Sequence, residues 1–379
     1  MIQEKGPKLL YFVTVDWFFC SHFMGRALVA RDAGYDVLVL TSVGSHDDII
    51  RSAGLRVLPL YVNRGSLNPF GAISALRRVI SHYRIERPDL IHHVALKPIL
   101  LGGLAARIAG CNKVINAVVG GGYAFTSMHP LARSLRPLLK FGLKFLLNPR
   151  GSRVVFENSD DLKGFIGAGL VLSTDSVLIR GAGVDPYLFQ PKCGSKEPPV
   201  VVLVARLLWD KGVGEFVDAS RSLRQKGLTA RFVIVGGPDP ENRACIDTST
   251  IDAWKSEGIV EFWGFRNDMP QVLAEASIAC LPSYREGLPK SLLEAMAAGL
   301  ACVTTDVPGC REAVRDGDNG LLVPAKNPAA LADALECLLK NPELARRMGK
   351  RGRERLEQEF SAQYVNNSTL ALYREMLEK

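Results

Sequence analysis

The feature that most constrains this chain is an alternation between short, almost continuous runs of Val, Ile and Leu and longer segments with helical spacing. The runs in the first half are KLLYFVTV, DVLVLTS, LRVLPLYV, DLIHHVAL, KVINAVV and RVVFENS. Helical patterns, such as residues 74–84 and 99–109, lie between them. Strands that are apolar on both faces are typical of parallel sheets covered by helices on both sides. The alternation therefore predicts a doubly wound α/β fold.

The alternation stops at residues 191–199, PKCGSKEPP, and then begins again. This segment is rich in Pro, Gly, Ser and Lys, as exposed linkers are. A chain of 379 residues is also too long for one ordinary core. We expect two tandem Rossmann-like domains, residues 1–185 and 186–360, facing an interdomain cleft. Residues 361–379 are expected to form a terminal helix packed on the second domain.

Charge is distributed unevenly between the two halves. The first 185 residues carry 22 Lys and Arg against 13 Asp and Glu, while the remainder carries 25 against 26. No acidic residue occurs between Asp89 and Glu157. Such a field suits an anionic partner, which can be nucleic acid, a phosphorylated substrate or a membrane surface. Because no nucleic-acid recognition motif or series of stacking aromatics accompanies the charge, nucleic-acid binding is not expected.

Residues 127–153 carry much of this positive charge. Four basic residues three or four positions apart, with Leu and Phe between them, predict a helix with one basic face: Arg133, Arg136, Lys140 and Lys144. A basic helix with an apolar side can lie on the anionic inner face of a cell membrane. The alternative is a solvated charged face on a helix that packs on the core.

The remaining composition indicates a cytoplasmic protein. The eight cysteines are scattered, without a C-x-x-C pair, as in proteins whose thiols stay reduced. No run of about 18 apolar residues occurs, so a membrane-spanning helix is not expected. The N-terminus lacks the basic, apolar and small-residue regions of a signal peptide.

The segment EGLPKSLLEAMAAG, residues 286–299, carries the clearest functional pattern. Pro289 is suited to the first turn of a helix that ends near Gly299. The helix N-terminus offers backbone N–H groups and a partial positive charge to a phosphate. The residues that contribute to this cradle are Gly287, Leu288, Lys290 and Ser291.

Two carboxylates flank this helix terminus. Glu286 lies just outside it, and Glu294 lies about one and a half turns inside. A carboxylate accepts hydrogen bonds from paired hydroxyl groups of a sugar or ribose. The pattern therefore fits a ligand with sugar, diphosphate and ribose in line. In the alternative interpretation, Glu286 caps the helix and Glu294 is a buried acid with satisfied hydrogen bonds.

The chain resembles the retaining GT-B glycosyltransferases of family 4. The resemblance rests on E-G-x-P-x(4)-E-A-M-A-x-G and the following TTDVPGCREAVRDGDNGLLVP. It extends to VARLLWDKGV and FWGFRNDMP, and more weakly to DWFFCSHF and LKPILLGGLAARIAG. Ala301 stands where the family usually has Pro, and Val119 stands where many members have a histidine that contacts the donor sugar.

The resemblance implies roles for residues of the second half. Those matching Arg206 and Lys211 hold the donor diphosphate, for which a bidentate guanidinium and a lysine are well suited. The residue matching Glu286 contacts the donor sugar, and the one matching Glu294 contacts the ribose. Those matching Phe265 and Arg266 hold the base. Without the resemblance, an Arg and a Lys near a helix start are most often solvated surface. The alternative for Phe265 and Arg266 is an ordinary loop at the end of a strand.

The acceptor is expected on the first domain. Ser21 and His22 lie in a predicted loop after the first strand, and His92 and Lys97 lie at the end of the fourth. His93 should point the opposite way from His92. Gly121 belongs to a Gly-rich turn that allows backbone to approach a sugar. In the alternative interpretation, the aromatic residues near Ser21 only pack against their neighbours, and the histidines are buried and hydrogen-bonded.

Two short motifs point to other chemistry and are rejected. The Asp316–Asp318 segment, DGD, resembles a metal-binding D-x-D motif, but its surroundings indicate a turn. GT-B enzymes generally need no metal, so none is expected here. The segment GAGVD, residues 181–185, lacks the third glycine of a dinucleotide-binding fingerprint.

The resemblance implies that the chain is a retaining hexosyltransferase. The donor is expected to be a UDP-sugar, and the acceptor a polyprenyl-diphosphate-linked sugar in surface polysaccharide assembly. One alternative is a nucleotide-sugar epimerase, which needs an acid and a base poised for proton abstraction. Another is a nucleotide-sugar-binding subunit without catalytic activity.

Overall fold

A computed structural model describes residues 6–61, 69–120, 141–191 and 197–378. The chain divides into two compact units. The first comprises Met1–Ala182 together with Gln363–Lys379, and the second comprises Gly183–Ala362. The division falls after Ala182, close to the predicted boundary after residue 185.

The first unit contains a parallel sheet of seven strands in the order β3-β2-β1-β4-β5-β6-β7. The strands are β1 Lys8–Val15, β2 Asp36–Ser42, β3 Arg56–Pro59, β4 Leu90–Val94, β5 Val114–Val118, β6 Ser152–Phe156 and β7 Ser176–Leu178.

The side chains along β1 point alternately to the two faces of the sheet, which shows why these runs are apolar at every position. Leu9 and Tyr11 belong to the core on one face of the sheet. Leu10 and Phe12 belong to the core on the other face, and all four are fully buried. Because successive side chains of a strand point to opposite faces, both faces need cover. The helices among the described residues of this unit include α1 Asp16–His22, α2 Met24–Asp32, α3 Asp47–Ser52, α4 Pro69–Glu86, α5 Leu96–Ala109 and α6 Ser159–Gly167.

The C-terminal helix corrects one expectation. Helix α14, Ala362–Glu378, does not pack on the second domain, because residues 363–379 belong to the first unit. Val365, Leu372 and Tyr373 are buried in the core that also contains Leu9 and Tyr11. The Tyr373 hydroxyl lies 2.5 Å from that of Tyr11, so a polar contact also joins this helix to β1.

The second unit has a parallel sheet of six strands in the order β10-β9-β8-β11-β12-β13. The strands are β8 Val200–Val204, β9 Arg231–Val235, β10 Glu261–Gly264, β11 Ile278–Leu281, β12 Ala301–Thr305 and β13 Gly320–Val323. The helices are α7 Val213–Gln225, α8 Thr248–Glu257, α9 Met269–Glu275, α10 Lys290–Ala297, α11 Cys310–Ala313, α12 Pro328–Lys340 and α13 Pro342–Arg355.

The order of strands in the second sheet reverses between β8 and β11. The chain builds outward from β8 through β9 and β10, then crosses back so that β11 pairs with the other side of β8. Helices that follow two such strands diverge to opposite faces and leave a crevice at the carboxyl edge. A ligand site is therefore expected among the residues that follow β8 and β11.

Most of the predicted basic helix lies outside the described residues, and this part includes Arg133, Arg136 and Lys140. Lys144 is described and exposed, on a helical segment at residues 141–146. Across the part of the chain that the structure describes, every helix is too short or too polar to cross a bilayer.

Candidate active site at the carboxyl edge of the second sheet

The turn after β8 packs directly against the end of β11. Gly212 has a φ of 71°, and a Cβ at this position would lie 2.1 Å from the carbonyl oxygen of Pro282. The carbonyl of Asp210 accepts hydrogen bonds from Ser283 Oγ at 3.0 Å and from the Tyr284 amide at 2.9 Å. Only glycine fits at position 212, and this close approach joins the two segments that carry the predicted site residues.

Lys211 and Glu286 form an ion pair across this junction. Lys211 ends a 3-10 turn, Trp209–Lys211, and Glu286 follows β11. The Nζ atom of Lys211 lies 2.6 Å from Oε1 of Glu286, and the side chains are only 19% and 12% exposed. A pair this sheltered from water interacts more strongly than a surface pair. The sequence predicted both residues for the site, but it did not predict this pairing.

A second close approach fixes the backbone of Glu286. Gly309, after β12, has a φ of 80°, and a Cβ there would lie 2.5 Å from the carbonyl oxygen of Gly287. The Glu286 amide donates to the carbonyl of Pro308 at 3.3 Å. The VPG segment after β12 therefore supports the loop that carries Glu286 and Gly287.

Helix α10 begins one residue later than expected, because Pro289 is its N-cap and Lys290 its first residue. The first N–H groups of a helix have no acceptor within the helix, so this end can bind an anion. Gly287 and Leu288 are buried beside it, and Ser291 is half-buried in its first turn. The predicted helix N-terminus therefore lies beside Glu286, and its phosphate binding stays a prediction.

Glu294 is a largely buried acid on α10. Its side chain is 13% exposed, and its Oε1 lies 3.5 Å from Nζ of Lys290, one turn earlier. Burial raises the pKa of the Glu294 carboxyl, and the nearby ammonium group of Lys290 opposes that rise. A buried carboxylate with one long ionic contact retains capacity to accept hydrogen bonds from ligand hydroxyls.

Arg206 follows β8 and forms an ion pair with Asp239, which lies in the loop after β9. The Arg206 side chain is 37% exposed, so it is accessible to a ligand at this edge. The sequence predicted Arg206 as a phosphate ligand but did not identify Asp239. Its position two residues after the Gly-Gly that follows β9 was the available signal.

Asp210 is an acid of the site that the sequence analysis missed. Its Oδ1 atom is buried without a hydrogen-bond partner. Burial raises the pKa of the Asp210 carboxyl, the positive charge of Lys211 opposes the rise, and the negative charge of Glu286 adds to it. Its place directly before Lys211 in the sequence was the signal that could have identified it.

Tyr284 and Glu215 form a partly buried contact next to this group. The Tyr284 hydroxyl donates to Oε1 of Glu215 at 2.5 Å, and Lys326 Nζ lies 4.8 Å from the centre of the Tyr284 ring. Burial and the adjacent carboxylate raise the pKa of the Tyr284 phenol. Tyr284 remains a hydrogen-bond donor at neutral pH and stays attached to α7 through Glu215.

The loop after β10 contains Phe265 and Arg266. Phe265 is 74% exposed, and Arg266 Nε donates to Oδ1 of Asp268 at 2.6 Å. The Gly264 carbonyl accepts a hydrogen bond from the Gly236 amide at 2.8 Å, which joins this loop to the end of β9. Both predicted base-binding residues therefore lie on loops at the carboxyl edge of the second sheet.

The segment that contains Ser21 and His22 is a helix, α1, and not the predicted loop. Asp16 explains the helix start, because its buried carboxylate accepts hydrogen bonds from the amides of Trp17, Gly44 and His46. Ser21 is exposed, while His22 stacks on Phe18 with ring centres 4.2 Å apart.

The predicted acceptor role of His92 is wrong, because the side chain lies in the core of the first unit. His92 is 2% exposed, and its Nδ1 lies 2.8 Å from the hydroxyl of Tyr373 on α14. The alternative, a buried histidine with a hydrogen bond, is the correct one. His93 points to the opposite face, as predicted, and contacts Asn116 and Tyr83.

Lys97 and Gly121 complete the predicted acceptor side. Lys97 lies in the first turn of α5, directly after β4, and burial lowers the pKa of its ammonium group. It is half-buried at the carboxyl edge of the first sheet. Gly121 lies outside the described residues.

The DGD segment forms a turn, as predicted. The Gly317 amide donates to the carbonyl of Gly320, Asp316 accepts from the Leu322 amide, and Asp318 pairs with Arg351. Among the described side chains, no group of three or more His, Cys, Asp or Glu could hold a metal ion. The expectation that catalysis needs no metal stays a prediction.

The family of this chain follows from its similarity to known proteins. Residues 189–355 match the family described as "Glycosyl transferases group 1", and residues 8–156 match "Glycosyl transferase 4-like". A Campylobacter jejuni enzyme is 30% identical over 340 residues, which cover 84% of this chain and 86% of that protein. The chain belongs to the GT-B glycosyltransferases of the family 4 type.

The names of two relatives describe lipid-linked acceptors. The Campylobacter relative is N,N'-diacetylbacillosaminyl-diphospho-undecaprenol alpha-1,3-N-acetylgalactosaminyltransferase. An Escherichia coli relative is UDP-Gal:alpha-D-GlcNAc-diphosphoundecaprenol alpha-1,3-galactosyltransferase, which is 26% identical over 69% of this chain and 70% of that protein.

Among solved structures, Anabaena HepE in complex with UDP and glucose has the same fold as this glycosyltransferase. The TM-score is 0.77 at 18% identity, with 97% of this chain and 99% of that chain covered. At this identity the likeness concerns the fold alone.

Proposed function

We propose that the glycosyltransferase is a retaining hexosyltransferase that takes its sugar from a UDP-sugar. The observation that carries the proposal is the sheltered Lys211–Glu286 pair at the switch point of the second sheet. Arg206 and the N-terminus of α10 supply further positive potential at the same edge. Such a constellation can hold a diphosphate with a carbohydrate ring on either side.

In this proposal the site acts by placing charge where the leaving group develops it. Lys211 and Arg206 stabilise the departing diphosphate, as preorganised cations do in a partly desolvated site. Glu286 orients the transferred sugar through its hydroxyl groups, and Glu294 accepts from the ribose. Following the family resemblance, no side chain acts as a nucleophile, and the departing phosphate takes the proton of the acceptor hydroxyl.

We further propose that the acceptor is a polyprenyl-diphosphate-linked sugar and that the enzyme works on the inner face of the cell membrane. The named substrates of the Campylobacter and Escherichia relatives support this substrate class. The acid-free basic region between Asp89 and Glu157 suits a diphosphate-bearing lipid in an anionic membrane.

A donor panel tests the proposal. UDP-, GDP- and ADP-sugars are incubated with and without an undecaprenyl-diphosphate-linked sugar, and the anomeric configuration of the product is measured by NMR. We expect transfer from a UDP-sugar with retained configuration. Conversion of a UDP-sugar alone into an epimer would support the epimerase alternative, and tight UDP binding without turnover of any donor would support the silent subunit.

A further inference from the structure

The outer surface of one helix layer in the first unit is both apolar and basic. Helices α4 and α5 and the helical segment 141–146 all cover the sheet face opposite to α1, α2 and α14. They are neighbours in that layer, with α5 in the middle. We call their outer surface the α4–α5 face. It comprises Arg77, Arg84, Ile85, Leu104, Arg107, Ile108, Lys144 and Phe145.

The face has an apolar centre. Ile85 is 72% exposed and Ile108 is 46% exposed, and both line a cavity of about 350 Å³ that opens between α4 and α5. Leu104 and Phe145 extend the exposed apolar surface along α5 and segment 141–146. Exposed apolar side chains that are grouped on one face and rimmed by polar residues mark interaction surfaces, so this group indicates a partner surface.

Positive charge surrounds this centre. Arg77 and Arg84, two turns apart on α4, line the same cavity as Ile85 and Ile108. On α5, the Arg107 guanidinium lies 3.9 Å from the centre of the Phe145 ring and donates to the Phe145 carbonyl at 2.6 Å. Lys144 is exposed beside it.

Negative charge is almost absent from the same elements. Neither α5 nor segment 141–146 contains an acid, and Glu86 is the one acid of α4. Glu86 is turned toward Lys8 and Arg56, with which it forms ion pairs at 3.3 Å and 3.0 Å, and its side chain is 13% exposed. The face therefore presents exposed apolar side chains among uncompensated basic groups.

We propose that the α4–α5 face docks on the surface of an anionic lipid bilayer. Exposed Ile and Phe side chains enter the boundary between headgroups and acyl chains, while Arg and Lys contact phosphate groups. A second copy of this chain would bring the same four basic residues against each other, which charge repulsion disfavours. The reason for docking rests on the proposed lipid-linked acceptor. The exposed apolar and basic side chains that support docking do not depend on that proposal.

Vesicle flotation of the full chain tests this inference. The probes are vesicles of phosphatidylethanolamine with phosphatidylglycerol, and vesicles of phosphatidylcholine alone. We expect binding to the anionic vesicles that weakens with added salt. Ile85→Glu with Ile108→Glu should weaken it at least about tenfold, because apolar burial is replaced by like-sign repulsion from the membrane. Arg77→Ser with Arg84→Ser should weaken it about fivefold per arginine.

Ile49→Glu is the matched control, because Ile49 on α3 is 52% exposed, a value between those of Ile108 and Ile85, and lies beside Asp47 and Asp48. It should bind vesicles like the wild type. Vesicle binding unchanged in the α4–α5 variants would overturn the inference. A second outcome would also overturn it: the wild type is a dimer that never binds vesicles, and Ile85→Glu with Ile108→Glu makes it monomeric.

UDP binding separates this inference from the proposed function. None of the substituted residues belongs to the second unit, so every variant should bind UDP like the wild type. A chain that binds anionic vesicles through this face but binds no UDP would overturn the proposed function alone. A chain that binds UDP and transfers sugar but does not bind vesicles would overturn the docking inference alone.

Discussion

The Nζ atom of Lys211 lies 2.6 Å from Oε1 of Glu286, although the two residues follow different strands and are 75 positions apart in the sequence. Both side chains are largely buried. Removing one member of such a pair leaves an uncompensated charge in a poorly solvated place, which destabilises the protein as well as changing the site. A test of either residue must therefore separate the two effects.

Lys211→Ala should lower turnover on the order of a hundredfold, as for the loss of one charge-stabilising group. It should also lower the free energy of unfolding, because Glu286 loses its partner. Adding Glu286→Gln removes the orphaned charge and should restore much of the stability, while turnover stays low. Turnover that returns along with stability in the double variant would mean that Lys211 acts only structurally.

Glu294→Ala should weaken UDP binding by about tenfold or more, as for the loss of a hydrogen bond to a charged group. Isothermal titration with UDP and with 2′,3′-dideoxy-UDP tests the ribose assignment. The wild type should discriminate between the two ligands, and the variant should not. Glu343→Ala, at an exposed glutamate on α13, is the control. If the variant discriminates as strongly as the wild type, Glu294 does not contact the ribose.

The sequence was sufficient to predict the parallel sheets and the edge of the second sheet at which the proposed site residues lie. In both cases the signal is local: apolar runs mark buried strands, and EGLPKSLLEAMAAG marks a helix with a carboxylate at each side. Arg206, Lys211, Glu286 and Glu294 indeed follow β8 and β11, the two strands that flank the switch point.

The errors came from contacts between residues distant in sequence. His92 was expected at a ligand edge, but Tyr373, 281 positions later, covers it from α14. The α1 segment was expected to be a loop, but the Asp16 carboxylate binds the amides of Gly44 and His46 and stabilises a helix start. Neither contact produces a periodic pattern in the sequence, so residue propensities and residue spacing could not predict it.

Gly309→Ala should lower both stability and activity. The substitution forces a Cβ to within 2.5 Å of the Gly287 carbonyl, at a φ of 80° that L-residues rarely adopt. The loop that carries Glu286 must then move. Gly317→Ala is a matched control, because Gly317 has a φ of 73° but nothing within 4 Å of its added Cβ. The control should lose about 1–2 kcal/mol of stability and retain activity. Equal losses of activity in both variants would exclude a positioning role for Gly309.

Chelation should leave sugar transfer unchanged. Arg206 and Lys211 place fixed positive charge at the edge where the proposed diphosphate binds, which is the task a divalent cation performs in metal-dependent transferases. Initial rates are measured after dialysis against EDTA, and again with added Mg²⁺ or Mn²⁺. A rate that collapses on chelation and returns with one cation would show that these two residues are not sufficient.

Acid should destabilise the first unit between about pH 6.5 and pH 4. Asn116 donates to the Leu147 carbonyl, so its Oδ1 faces His93, which donates from Nδ1 and accepts from Tyr83 at Nε2. Burial lowers the pKa of His93 to about 4.

The unfolded chain has an ordinary histidine pKa near 6.5, so below that pH it binds more protons than the folded chain. The free energy of unfolding contributed by His93 is therefore present above about pH 6.5 and is lost as the pH falls toward 4. The loss should be about 3 kcal/mol. Burial lowers the pKa of His92 as well, which adds a loss of the same sign.

Urea unfolding measured at several pH values tests this expectation, with His93→Gln as the comparison. The variant should be less stable than the wild type at pH 7, because glutamine cannot reproduce both hydrogen bonds at the same positions. Its stability should then fall less steeply toward pH 4, since one of the two buried imidazoles no longer titrates. If both proteins lose the same free energy of unfolding over this range, His93 is not the group that resists protonation.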